Sequence, residues 1–180
     1  MGSVSISQRW YRRRQLPAKK MPANIRSWLF DASSLTARLI RYGSGDFRVE
    51  LLSQEIRRPG RDEAKALGIS NQRFALIRQV HLCFGSQVMV YARTVIPLST
   101  LTGSERSYGN LGNRPLGVML FADRSMRREE VMVTKLSPDN SLYKNTGGQD
   151  EAIWGRRSIF HVGDKPLLVS EYYLPELFSR

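Results

Sequence analysis

Two long, mostly apolar segments separated by a two-residue turn constrain this chain more than any other feature. Residues 73–84 and 87–97 read as strands, Gly85-Ser86 joins them, and Pro97 stops the second. Side chains alternate faces along a strand, so one face of the first carries Phe74, Leu76, Arg78, Val80, Leu82 and Phe84. An arginine therefore stands in the middle of an apolar face. A later strand, 165–174, repeats the anomaly with opposite sign: Leu167, Val169, Glu171 and Tyr173 share a face. The second long strand offers Arg93 between Tyr91 and Val95. Burying any of these charges alone costs several kcal/mol, so each needs a partner or a ligand. Two readings stay open on parity alone. One is an internal Arg–Glu ion pair. The other is a pocket with two arginines and one carboxylate, whose surplus positive charge suits an anionic ligand.

The rest of the chain supplies what surrounds these strands. Residues 22–30 read as a short helix. Ser33 or Ser34 caps a second, in which Leu35, Leu39 and Ile40 recur at helical spacing until Gly43-Ser44-Gly45. Phe47–Leu51 alternates as a strand, Arg58-Pro59-Gly60 breaks the run, and 61–67 reads as a helix ending at Gly68. Residues 98–124 are irregular and partly helical, and 127–136 form a further strand. The polar, turn-rich stretch 137–150 reads as a long mobile hairpin loop. The last two strands, 152–162 and 165–174, turn at Gly163-Asp164. Helices in front and consecutive hairpins behind predict an α+β domain with a largely antiparallel sheet.

At 180 residues the chain fits one domain, and 41% hydrophobic residues suffice for a core. No stretch is apolar for the roughly 18 residues that a membrane helix needs, and no apolar signal segment follows the first charges. Cys83 is the single cysteine, which excludes an internal disulfide and points to a reducing cytosol. The formal net charge is +12, much of it in front: Arg9, Arg12, Arg13, Arg14, Lys19, Lys20 and Arg26 all precede the first acid, Asp31. Residues 1–20 read as a flexible basic leader, which Trp10 and Tyr11 pin in part, before a domain at 21–180. No recognisable DNA- or RNA-binding motif follows it, so no nucleic-acid partner is expected.

Other residues carry less. His81, His161 and Cys83 lack metal-ligand spacing and read as ordinary strand residues. No nucleophile-elbow motif supports a serine triad. Gly43-Ser44-Gly45 and Gly109-Asn110-Leu111-Gly112 are turns rather than phosphate loops. Arg156 and Arg157 face opposite ways on a strand, and both are expected at the surface.

An ordered set of segments resembles the chorismate pyruvate-lyase family over roughly residues 10–175. It comprises Trp28-Leu29 with Ser34-Leu35-Thr36, Ile77-Arg78, and Ala92-Arg93-Thr94-Val95-Ile96-Pro97 with Ser99-Thr100-Leu101. Leu111-Gly112, Pro115-Leu116-Gly117, Leu120-Phe121, Trp154-Gly155-Arg156-Arg157-Ser158 and Lys165-Pro166-Leu167-Leu168 with Glu171 and Leu174-Pro175 complete it. The resemblance implies one α+β domain with helical flaps over a buried site. It implies a monomeric cytoplasmic lyase, without metal or organic cofactor, that converts chorismate to 4-hydroxybenzoate and pyruvate, and whose product feeds quinone or other aromatic synthesis. By resemblance Arg78 holds the ring carboxylate, helped by backbone groups of Leu35 and Leu116, and Glu171 meets the ring hydroxyl. Arg93 is assigned to the enolpyruvyl carboxylate. Leu35 stands where the family often has Met, and 137–150 is longer than in bacterial members. The same fold is similar to effector-sensing domains of transcription regulators. The alternative function is therefore a non-catalytic small-molecule-binding domain, although the leader is too short for the winged helix that usually precedes one.

Overall fold

The hairpin that dominates the sequence also dominates the sheet. In the computed structural model, which describes residues 8–17, 20–43 and 45–179, β3 (Ala75–Phe84) and β4 (Gln87–Pro97) pair antiparallel across the Gly85-Ser86 turn. Gly85 takes a φ of 55°, the left-handed region that a side chain disfavours. β1 (Tyr11–Arg12), β2 (Phe47–Arg57), β6 (Met132–Leu136), β7 (Ile153–Val162) and β8 (Lys165–Tyr173) complete an antiparallel sheet in the order β1-β6-β7-β8-β4-β3-β2. β5 (Arg127–Arg128) also pairs with β7. The predicted strand at 127–136 is thus two pieces, interrupted at 129–131.

Both faces of the sheet are covered, by different means. On the front, α1 (Ala23–Leu29) and α2 (Leu35–Tyr42) cover one end, packing Trp28, Leu29, Leu35 and Leu39 against Val80, Leu82 and Tyr173. The Ser34 hydroxyl starts α2 by accepting from the Ala37 N–H at 3.4 Å. The helix is only eight residues long, too short to hold alone, so its apolar face must supply the stability. Fully burying Leu39 contributes about 1.5–3 kcal/mol, and Leu39→Ala would remove that and leave a cavity. At the other end of the front, α4 (Leu116–Ala122) packs Leu116 and Leu120 against Leu76, Phe160 and Val169.

On the rear, α3 (Arg61–Leu67) lays Leu67 on Ile77, Val95 and Leu168. Beside it the expected mobile loop is packed down. Tyr143 and Thr146 are buried, and the Tyr143 hydroxyl donates to the Glu151 carbonyl at 2.6 Å. Trp10 joins the same rear cluster and donates from Nε1 to Asp62 Oδ2 at 3.1 Å. Tyr11 pairs with Val133, so this part of the basic segment belongs to the sheet. Residues 1–7 and 18–19 of the expected leader lie outside the described residues. No helix among the described residues is long and apolar enough to cross a membrane.

Candidate active site

The two front clusters do not meet. Between them the sheet face is charged, and a cavity of about 560 Å³, mouth included, lies over it. β3, β4, β8 and β7 form its floor, and the N-terminal turns of α2 and α4 roof it. The roof closes tightly: a Cβ on Gly117 would come within 3.2 Å of both Ser34 Oγ and Thr36 Oγ1.

Arg78 is one side of the floor, 2% exposed. Its Nη2 donates to the carbonyls of Gly112 and Arg114 at 2.8 and 3.0 Å, and its Nε has no hydrogen-bond partner among the described residues. No carboxylate lies in ion-pair range among those residues. Burial accordingly pushes the guanidinium down to about 10, still protonated at neutral pH. Leu35 and Leu116 are the first residues of α2 and α4, where backbone N–H groups have no partner within the helix. Both line the same cavity as Arg78.

Glu171 lies two strands away on β8, directly opposite Ala92 on one side and Arg156 on the other. Arg156 Nε donates to Glu171 Oε2 at 2.5 Å, and Arg156 Nη1 donates to the carbonyls of Trp28 and Asp31 at 3.1 and 2.8 Å. Burial alone would lower the Arg156 guanidinium, but the charge and hydrogen bond of Glu171 together with Tyr173 and Asp31 outweigh it, and the net shift is upward. The expectation that Arg156 and Arg157 both sit at the surface is corrected. Arg156 is 2% exposed and lines the cavity, and Arg157 Nη1 reaches Asp62 Oδ2 on the rear at 2.5 Å. The missed signal was the hairpin itself, since counting back from the Gly163-Asp164 turn sets Arg156 opposite Glu171.

Arg128 is a second cavity arginine that sequence reasoning passed over. It sits on the two-residue β5, too short to show a pattern. Its Nε donates to Ser158 Oγ at 2.9 Å, its Nη1 to the Asp31 carbonyl at 3.1 Å, and the guanidinium lies over the Phe160 ring at 5.2 Å.

Arg93 is corrected in the other direction. It is absent from the cavity, whose wall takes its neighbours Ala92 and Thr94. Arg93 points to the rear, where Nε and Nη2 grip Glu63 of α3 at 2.6 and 3.0 Å. The cause is a β-bulge. Cys83 pairs with Val88 but Leu82 with Val90, so Met89 is an extra residue in β4. Gln79, not Arg78, therefore faces Arg93 across the strands. His81, His161 and Cys83 are dispersed: the imidazoles meet the Asn145 carbonyl and Glu129, and Cys83 is buried as a free thiol.

A roofed cavity with three guanidiniums and one carboxylate thus lies on the antiparallel floor of an α+β domain. The chain belongs to the chorismate lyase family, whose model matches residues 6–180. A probable chorismate pyruvate-lyase of Methylococcus capsulatus is 38% identical over 157 residues, covering 86% of this chain and 97% of that protein. One of Aromatoleum aromaticum is 35% identical over 179 residues, covering 96% and 95%. Among solved structures, a GntR-family transcriptional regulator from Bacillus cereus superposes with a TM-score of 0.57 at 16% identity, covering 76% of this chain and 96% of that one. PhnF from Mycobacterium smegmatis gives 0.62 at 12% identity, covering 82% and 66%. At such identities these two speak for the fold alone.

Proposed function

We propose that this protein is a chorismate pyruvate-lyase, eliminating the enolpyruvyl group of chorismate to leave 4-hydroxybenzoate and pyruvate. The observation that carries the reading is the charge of the cavity. Three arginines against one carboxylate leave two positive charges over, which complements a dianion. Family membership supplies the class of reaction.

In this reading Arg78 anchors the ring carboxylate, with the free N–H groups of Leu35 and Leu116 as further donors. Glu171, held in place by Arg156, meets the ring hydroxyl on the side where the proton is lost. The bond from the ring to the enolpyruvyl oxygen breaks, the ring carbon bearing the hydroxyl gives up its proton, and the released electron pair completes the aromatic ring. The enolpyruvate takes a proton and becomes pyruvate. Aromatisation drives the reaction, so the protein's contribution is orientation and fixed charge in a site shielded from water. We place the reaction in a reducing cytosol, in keeping with the single buried thiol of Cys83, and assign the aromatic product to quinone ring supply.

Incubation of the purified protein with chorismate tests this. 4-Hydroxybenzoate and pyruvate should appear in equal amounts, well above a protein-free blank. Binding of 4-hydroxybenzoate with turnover at the blank rate would make the protein a sensing module instead.

A further inference from the structure

A dianion needs two anchors, and Arg78 supplies one. With Arg93 bound to Glu63 on the rear, the partner of the second carboxylate has to come from elsewhere. We infer that Arg128 holds the carboxylate of the enolpyruvyl side chain; the inference rests on the lyase reading and assigns the half of the site which that reading leaves open.

Three observations select Arg128. First, it lines the cavity without an ion-pair partner among the described residues, whereas the charge of Arg156 is already matched by Glu171. Second, it is held in place. Ser158, the Asp31 carbonyl and the Phe160 ring take up Nε, Nη1 and one flat face, and Nη2 has no hydrogen-bond partner among the described residues. A guanidinium already held at Nε and Nη1 loses little freedom when an anion meets its remaining donors. Third, its place in the sheet fits. Arg78 stands on β3, Glu171 on β8, and Arg128 on β5 beyond β7. The carboxylate thus lies between the two unpaired cations. A substrate whose ring acid meets Arg78 and whose hydroxyl meets Glu171 extends its side chain toward Arg128. Arg128 is also close enough to Arg156 to feel its charge, and an anion between them relieves that repulsion.

The product separates the two anchors, because 4-hydroxybenzoate keeps the ring carboxylate and lacks the other. Arg128→Gln should lower kcat/KM for chorismate by ~10²-fold or more, the scale of truncating one partner of a buried charge pair. The same variant should bind 4-hydroxybenzoate within about threefold of wild type, since no charged contact to it is lost. Arg128→Lys, a point charge without the fork, should recover part of the loss. A second measurement needs no variant. Wild-type protein should bind the unreactive dianion 3-(carboxymethoxy)-4-hydroxybenzoate at least about tenfold more tightly than 3-methoxy-4-hydroxybenzoate, the scale of one charge-assisted contact. Unchanged turnover in Arg128→Gln, parallel loss of 4-hydroxybenzoate binding, or equal affinity for the two ethers would each overturn the assignment while leaving the lyase reading in place. Wild-type protein inert toward chorismate would instead remove that reading, and this inference with it.

Discussion

The two faces of the sheet bury arginines in opposite ways. On the rear, Arg93 is matched by Glu63 and Arg157 by Asp62, both carboxylates coming from the first turn of α3. Each pair fastens a helix to a strand. On the front, Arg78 and Arg128 have no carboxylate in range among the described residues, and the one available, Glu171, is taken by Arg156. Burial lowers the Arg78 guanidinium, whereas for Arg93 the hydrogen bond and charge of Glu63, with Tyr91 and Tyr172, together outweigh burial and the shift is upward. A buried arginine with its own carboxylate is part of the framework. One that remains desolvated without a counter-ion reduces stability until an anion arrives, and in the proposed reading it marks the binding face.

The comparison is broken most severely by exchanging the carboxylates for amides. Glu171→Gln should cut turnover by about 10²–10⁴-fold, the range for loss of a group that assists proton transfer. Glu63→Gln should leave turnover per folded molecule nearly unchanged, and steady-state assays on both variants at matched folded fraction check this. In stability the ranking reverses. Glu63→Gln strands Arg93 and should cost about 3–5 kcal/mol in denaturant unfolding, and the double change Glu63→Met with Arg93→Met should restore most of it. A double variant as unstable as the single one would mean that the pair is not the source.

A smaller effect concerns the connector between α1 and α2, whose Asp31 carbonyl meets both Arg128 and Arg156. Burial would raise the Asp31 carboxyl, but hydrogen bonds from Ser33 and Arg38 outweigh it and hold the group at about 2. A folded-state value below the unfolded one adds stability above the ordinary value of 3.8, and that stability is lost as pH falls toward 2. Asp31→Asn should flatten the acid limb of the stability curve in that window, read by thermal unfolding across pH. An unchanged limb would place the acid sensitivity elsewhere.

Much of this was legible from the sequence, for identifiable reasons. Strand parity singled out Arg78 and Glu171 because each interrupts an apolar face, and neither judgement needed a neighbour. The Gly85-Ser86 and Gly163-Asp164 turns set both hairpins. Arg93 was misplaced because its face depends on Met89, an inserted residue that leaves the pattern of alternation apolar on both sides. Arg156 was missed because adjacent arginines look solvated until the hairpin register is counted. Arg128 stands on a strand of two residues, and only the fold brings it to the cavity. The 137–150 segment looked free because its buried residues, Asn140, Tyr143 and Thr146, are polar or amphipathic.

The central claim is that the front arginine serves a ligand and the rear one serves the fold. Arg78→Met and Arg93→Met, compared side by side by denaturant unfolding and 4-hydroxybenzoate titration, test it most directly. Arg78→Met should unfold within about 1 kcal/mol of wild type or later, since losing the carbonyl contacts is offset by removing an unpaired charge. Its product affinity should fall by ~10²-fold or more. Arg93→Met should lose about 3–5 kcal/mol of stability and keep its affinity. Equal destabilisation by both changes, or loss of product binding in Arg93→Met rather than Arg78→Met, would contradict the account.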